Sequence, residues 1–362
     1  MSSAFPQALV PFGWDDDLET AFAPHYAAGL IPARVAGVDR VRCDVITEDG
    51  PLRADSTPVL SHEDPSLSPC TGDWAALRPG AQPALAALLP RRTAIVRSSA
   101  ARTSHGQVLA ANVDTVAIAV SLETEVDLGR IERMLALAWE SGARPVVVLT
   151  KSDHSPDPAA DAARVAEAAP GAEIIAVSAA TGDGVDVAAA VLTGTVVLIG
   201  PSGAGKSTLG NALLGGDVLA TGAVRAGDGK GRHTTVRREL LPLPGGGVLI
   251  DTPGLRGVGL FDAAEGIQQA FAEIEELAQG CRFGDCAHDT EPGCAVQAAI
   301  EDGTLPPRRL ASYRKLVREN EWIASRSDAR LAAERLSKWK TIHKAQRQRY
   351  KLQGKGRGEG AP

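Results

Sequence analysis

Gly200-Pro201-Ser202-Gly203-Ala204-Gly205-Lys206-Ser207-Thr208 decides how the rest of the chain is understood. Before it stand four apolar residues, Val196-Val197-Leu198-Ile199, a run that suits a short buried strand. After it comes Leu209-Gly210-Asn211-Ala212-Leu213-Leu214, with the composition of a helix start. Strand, glycine loop, Lys-Ser and helix make the setting that a phosphate-binding loop needs. Glycines let backbone N–H groups turn inward around phosphate oxygens, and the helix N-terminus adds partial positive charge. Lys206 can reach the β and γ oxygens of a nucleotide, and Ser207 can offer its hydroxyl to Mg²⁺.

Working outward, Asp251-Thr252-Pro253-Gly254 follows the apolar run Val248-Leu249-Ile250. A carboxylate at such a strand end can hold Mg²⁺ through water, and the Gly254 N–H can meet a γ-phosphate. Between the two lies Gly231-Arg232-His233-Thr234-Thr235, where a hydroxyl of Thr234 or Thr235 can complete the Mg²⁺ shell. Upstream, Thr150-Lys151-Ser152-Asp153 follows the run Pro145–Leu149. Guanine presents two adjacent donors that one carboxylate, Asp153, can accept together, and adenine lacks that pair. Lys151 can lay its methylene stem along the base. Ser178-Ala179-Ala180, after the run Glu173–Val177, can supply a backbone N–H to guanine O6.

These stretches sit in an alternating pattern. Apolar runs at Val116–Val120, Pro145–Leu149, Glu173–Val177 and Thr195–Ile199 alternate with helical segments at Asp127–Ser141, Ala159–Ala169 and Val185–Leu192. Such alternation predicts a parallel α/β sheet, and ligands of such sheets bind at the C-terminal strand ends. Arg238–Leu243 and Gly247–Ile250 predict a hairpin, and Ala263–Ala278 one helix. Toward the N-terminus, five short runs predict a small β-barrel of the oligonucleotide-binding kind: Ala33–Val38, Val41–Thr47, Pro51–Ala54, Asp73–Leu77 and Thr93–Val96.

The length of 362 residues suits two or three domains. From Pro307 to the end stand sixteen Lys and Arg against five Asp and Glu, net +11, so with a total of −6 the rest carries −17. An acidic body with a basic arm suggests a polyanionic partner. Tyr313, Trp322, Trp339 and Tyr350 interleave the basic residues and offer stacking faces for RNA bases. No cationic, apolar leader opens the chain and no apolar run approaches the ~18 residues of a membrane span, so a cytoplasmic protein without a membrane partner is expected. Cys281, Cys286, His288 and Cys294 lie within fourteen positions, the donor set of a closed structural zinc site. Cys43 and Cys70 are expected to be packed thiols.

The phosphate and base motifs resemble those of translational GTPases in permuted order, the base-reading pair preceding the phosphate-binding set. The cysteine cluster, Gly231–Thr235, Val108-Leu109-Ala110-Ala111-Asn112-Val113-Asp114 and Gly72-Asp73-Trp74 narrow the resemblance to the ribosome-small-subunit-dependent GTPase family (RsgA) over roughly residues 30 to 340. It implies a multidomain protein with an N-terminal OB-like β-barrel, a central α/β P-loop GTPase core in circularly permuted order, and a C-terminal helical zinc domain. The expected boundaries are 1–98, 99–260 and 261–362. The resemblance also implies GTP hydrolysis stimulated by the small ribosomal subunit, late in that subunit's maturation; a monomer is expected. The expected GTP contacts are Thr150 to Asp153, Ser178, Ala179, Gly200 to Thr208, Asp251 and Gly254, with one Mg²⁺ and one zinc ion as cofactors.

Three positions depart from other GTPases. Thr150 stands where many carry Asn, which leaves a tie between base loop and P-loop to be found. Gly203 replaces the Asn of potassium-activated relatives. Leu255 stands where Ras-like GTPases place the water-orienting Gln, and Leu cannot orient water. His233 is then the candidate for that role. A second functional class stays open on Leu255: an RNA-binding module clamped by GTP with little hydrolysis. An ATP-dependent nucleic-acid enzyme is disfavoured by Asp153.

Overall fold

The structure, a computed structural model, describes residues 5–97, 106–220, 238–251 and 263–327. Strands β1 (Ile31–Asp39), β2 (Arg42–Thr47), β3 (Gly50–Asp55), β4 (Trp74–Arg78) and β5 (Ala84–Leu88) close into a barrel in the order β1-β2-β3-β5-β4. Alternate residues point inward, so Ala33, Val35, Cys43, Val45, Ala54, Ala75, Leu77 and Leu85 fill the interior. Cys43 is thus a packed thiol, and burial pushes the Cys70 thiol up to about 12. Helix α1 (Asp16–Tyr26) begins at Asp15, whose carboxylate accepts from Leu18 N at 2.9 Å. Its Leu18 and Phe22 pack with Trp14 on Trp74.

The barrel's fifth strand is not the expected one. Strand β6 (Ala94–Arg97) leaves the barrel and pairs with β7 (Gln107–Ala111), while Ala84-Leu85-Ala86-Ala87-Leu88 takes the closing place. That stretch has helix-forming composition, but its pairing with β4 overrides local preference.

The second sheet has the order β10-β9-β8-β11-β13-β12. Strands β8 (Thr115–Ser121), β9 (Arg144–Thr150), β10 (Glu173–Val177), β11 (Thr195–Ile199) and β13 (Val248–Asp251) are parallel, and β12 (Glu239–Pro242) is an antiparallel edge. Helices α2 (Leu128–Glu140), α3 (Pro158–Ala166), α4 (Val185–Val191) and α5 (Lys206–Leu214) alternate with them. Strands β8, β9 and β11 read as unbroken apolar runs because both faces are covered. The chain lays down β8, β9 and β10 in one direction, then returns across β8 to place β11 on its other side. The ligand crevice of such a sheet lies at the C-terminal strand ends near that reversal.

Barrel and sheet are joined through a buried polar cluster. The Arg34 guanidinium lies 4.6 Å over the Trp74 ring and donates to Thr195 Oγ1 at 3.0 Å and Asn112 O at 3.3 Å. Burial pulls its pKa down to about 10, still charged at neutral pH. Asn112 donates to Gly72 O at 3.0 Å. The stretches 72–74 and 108–114 therefore serve this joint.

Helices α6 (Ala264–Ala270), α7 (Ala272–Ala278), α8 (Ala295–Glu301) and α9 (Pro307–Ser327) pack on the α2 side of the sheet. At Gly266 a side chain would sit 2.0 Å from Ala136 O, so only glycine allows α6 to lie so close to α2. The single helix expected over 263–278 is broken at Phe271 (φ −127°, ψ 38°). The break seats the Phe271 ring, fully buried, against Tyr313 and 4.3 Å beneath the Arg309 guanidinium. Arg309, 1% exposed, pairs with Glu132 of α2 at 2.8 Å and also donates to Glu273 at 2.7 Å and Ala270 O at 2.8 Å. Arg309→Ala would strand the fully buried Glu132 carboxylate with Arg308 as its remaining ion-pair partner. A loss of about 3–5 kcal/mol in urea unfolding is expected; a loss below about 1 kcal/mol, the range of surface pairs, would contradict it.

Candidate functional site

The loop after β11 turns sharply at Gly200 (φ 147°), where a Cβ would lie 2.5 Å from Ala119 O. Glycine alone permits that passage. Pro201, Ser202, Gly203 and Ala204 carry the loop to Gly205, the residue that precedes α5. Ser202 and Gly203 are exposed, and Ala204 is buried. Lys206 curls back, its Nζ donating to Gly200 O at 2.8 Å and Pro201 O at 2.7 Å. Ser207 lies half-buried in the first turn of α5 and Thr208 is exposed beside it. Asp251 ends β13, paired in register with Glu239. Burial, and then the Glu239 charge, raise its pKa, with Lys206 opposing.

The base-side residues come from the ends of β9 and β10. Thr150 is buried and its hydroxyl donates to Ala204 O at 2.8 Å. This bond ties the base loop to the P-loop, the link that the missing Asn left unassigned. Lys151 has a positive φ of 56° and its Nζ donates to Glu123 Oε2. Ser152 to His154 form one 3₁₀ turn. Asp153 Oδ1 accepts from Ser178 Oγ at 2.6 Å, and this bond above all holds its pKa below the usual carboxylate range. The Ser178 N–H is itself engaged by Asp183 O at 2.9 Å, while Ala179 and Ala180 border the cleft.

Pro201 to Ala204 border a neighbouring cavity, while Thr150, Lys151, Asp153, Ala179, Gly205 and Thr208 wall one cleft of about 230 Å³. Glu123 and His154 also line it, and neither stood out in the sequence. The available signal was position: Glu123 follows the buried run of β8 by two residues, beside β9. His233, Thr234, Thr235, Gly254 and Leu255, together with the tail beyond 327, lie outside the described residues.

About the C-terminal cluster the distances are specific. Cys281 Sγ and Cys294 Sγ each lie 3.5 Å from His288 Nδ1, and the two sulfurs are 3.8 Å apart. With Cys286 all four donor atoms lie within 4.8 Å of one another. Tetrahedral bonds of about 2.3 Å to sulfur and 2.0 Å to nitrogen demand edges close to 3.8 and 3.5 Å. The donors fit a tetrahedral ion. His288 takes a positive φ of 58°, and Arg314 donates to its carbonyl at 2.5 Å.

A profile of the RsgA GTPase family matches residues 88–261. A small ribosomal subunit biogenesis GTPase RsgA from Streptomyces coelicolor is 61% identical over 332 residues, covering 90% of each chain. The chain belongs to the RsgA GTPase family. Its Streptomyces avermitilis relative of the same name is 59% identical, covering 94% of this chain and 92% of the relative. The crystal structure of YjeQ from Thermotoga maritima superposes with a TM-score of 0.61 at 25% identity, covering 80% of this chain and 98% of that one. YloQ, described as a circularly permuted GTPase, gives 0.59 at 20% identity, covering 81% and 95%, and supports the fold. RsgA chains are GTPases, and this chain is one: a barrel, a permuted GTPase core and a C-terminal metal-type cluster in that order. The family implies Mg²⁺ beside the nucleotide. Among the described residues no helix is long and apolar enough to cross a membrane.

Proposed function

We propose that this chain hydrolyses GTP to GDP and phosphate when engaged by the small ribosomal subunit, late in that subunit's maturation. The observation that carries it is the convergence of Thr150, Asp153, Ala179 and Gly205 on one cleft at the ends of the three parallel strands β9, β10 and β11. Its relatives named for small ribosomal subunit biogenesis supply the partner. In this reading Asp153 accepts both guanine donors, Lys151 covers the base with its stem, and a backbone N–H of Ala179 or Ala180, which border the cleft, meets guanine O6. Gly200 to Thr208 cradle the phosphates. Ser207, Asp251 and one of Thr234 and Thr235 would hold Mg²⁺, which would offset the charge of the phosphate oxygens; hydroxyl and carboxylate donors suit it. Lys206, already held over the loop carbonyls, is placed to meet the same oxygens. His233 orients the attacking water in place of a Gln.

The cluster holds zinc, since three thiolates and one imidazole in a closed set are the mark of a structural zinc site. The basic tail contacts rRNA, and the protein acts in the cytoplasm as a monomer. The boundaries 1–98, 99–260 and 261–362 follow the same reading. Leu255 favours one second reading, a GTP-clamped RNA-binding module. Phosphate release with and without purified small subunits, at saturating GTP, separates the two. Turnover is expected to rise sharply with subunits, as partner proteins raise it in other P-loop GTPases. Turnover unchanged at saturating subunit would favour the clamp.

A further inference from the structure

We infer that Glu123 is a positioning residue for the nucleotide site: it draws the Lys151 ammonium away from Asp153, keeping the lysine charge off the carboxylate that reads guanine. This rests on the reading of Asp153 as the base-reading group. Lys151 leaves β9 in the left-handed region, a conformation that costs energy for any residue with a side chain and so points to a placement the site needs. Its side chain is thereby laid across the end of the neighbouring strand β8, where Glu123 receives the ammonium. Glu123 and Lys151 both border the base cleft, and both border a second cavity of about 250 Å³ between α2 and residues 201–204. The pair stands as the wall between the two.

The electrostatics explain why the wall is a pair rather than a lysine alone. Within the cleft the other carboxylate is Asp153, two residues along the chain and already within the field of the Lys151 charge. An ammonium on a four-carbon stem turns freely and takes the nearest acceptor. Without Glu123 the ammonium can turn into the base cleft toward Asp153 or into the second cavity toward Glu125 and Asp127, and a Lys151–Asp153 pair would occupy lone pairs that guanine needs. With Glu123 the charge is held at the rim and the methylene stem faces the base. The Ser178 hydroxyl engages Asp153 Oδ1 and His154 Nε2 lies 3.4 Å from Oδ2, so a Lys151 pair would be a second basic contact on the same carboxylate. The Glu123 side chain is about half exposed, so as a stability element alone the pair would contribute little.

The test is a double-mutant cycle on the full chain, read by GDP and GTP dissociation constants and by KM and kcat. Glu123→Gln is expected to weaken both nucleotides about tenfold, within the range of coupled charge networks. KM should rise and kcat should stay near wild type. Lys151→Met keeps the stem and removes the charge, and in that background Glu123→Gln should have no further effect. Wild-type affinity in the Glu123→Gln variant would overturn the proposal. So would an undiminished tenfold loss in the Lys151→Met background, since Glu123 would then touch the nucleotide itself. Asp153→Asn serves as the separate check on base reading: GTP should weaken and xanthosine triphosphate should strengthen. If Asp153→Asn leaves GTP affinity unchanged, the base assignment fails and this proposal with it. If Asp153→Asn behaves as expected and Glu123→Gln does nothing, the role of Glu123 alone is lost.

Discussion

His233→Ala is expected to keep GTP affinity while lowering subunit-stimulated turnover by roughly 10²–10⁴-fold, the range for a positioned proton-transfer or orienting group. The argument begins with Leu255, which occupies the place of the water-orienting Gln and has no polar atom to offer. Some other group must fix the water in line with the γ-phosphate. In the proposed site a threonine of Gly231-Arg232-His233-Thr234-Thr235 would give its hydroxyl to Mg²⁺, which would bring the neighbouring His233 close to that phosphate. Within it His233 has the side chain whose ordinary pKa lies near neutrality, and a neutral imidazole accepts a hydrogen bond from water. Affinity must be measured beside turnover. Loss of both would mean collapse of the loop, and turnover close to wild type at saturating subunit would remove His233 from the mechanism.

Cys286→Ser should take bound zinc from one ion per chain to near none and unfold the segment between α7 and α8. Zinc-binding peptides with comparable ligands gain about 10–16 kcal/mol in apparent binding free energy. That is as large as the whole stability of an ordinary domain, about 5–15 kcal/mol. The loop 281–294 has few apolar side chains of its own beyond Cys281, Cys286 and Cys294, which meet the core cluster and are the same residues that would bind the metal, so losing the ion is expected to release the loop. Metal analysis of protein purified without chelators gives the stoichiometry, and limited proteolysis reports the loop. A wild-type chain with no metal would remove the site. A Cys286→Ser chain as resistant as wild type would show that packing alone holds the loop.

The two expectations differ in how their residues were found, and the difference is physical. The P-loop, the base loop and the cysteine cluster are local. Each function there depends on residues within about a dozen positions, so spacing carries the chemistry. Strand β5 shows the opposite case. Ala84-Leu85-Ala86-Ala87-Leu88 has no β-branched or aromatic residue, and it becomes a strand because β4 offers a partner and the barrel needs closing. Phe271 breaks a helix whose sequence favours continuity, because the break buries its ring beneath the Arg309 charge.

By itself the sequence determined the fold class, the permuted order of the motifs and the four Cys and His residues that the structure brings together. The tertiary structure alone decided which distant side chains meet. Thr150 reaches Ala204 across 54 positions, Lys151 reaches Glu123 across 28, and Arg309 reaches Glu132 across 177. Such pairs follow from strand order and helix register, which distribute the chain in space only once the cores on both faces of the sheet have packed.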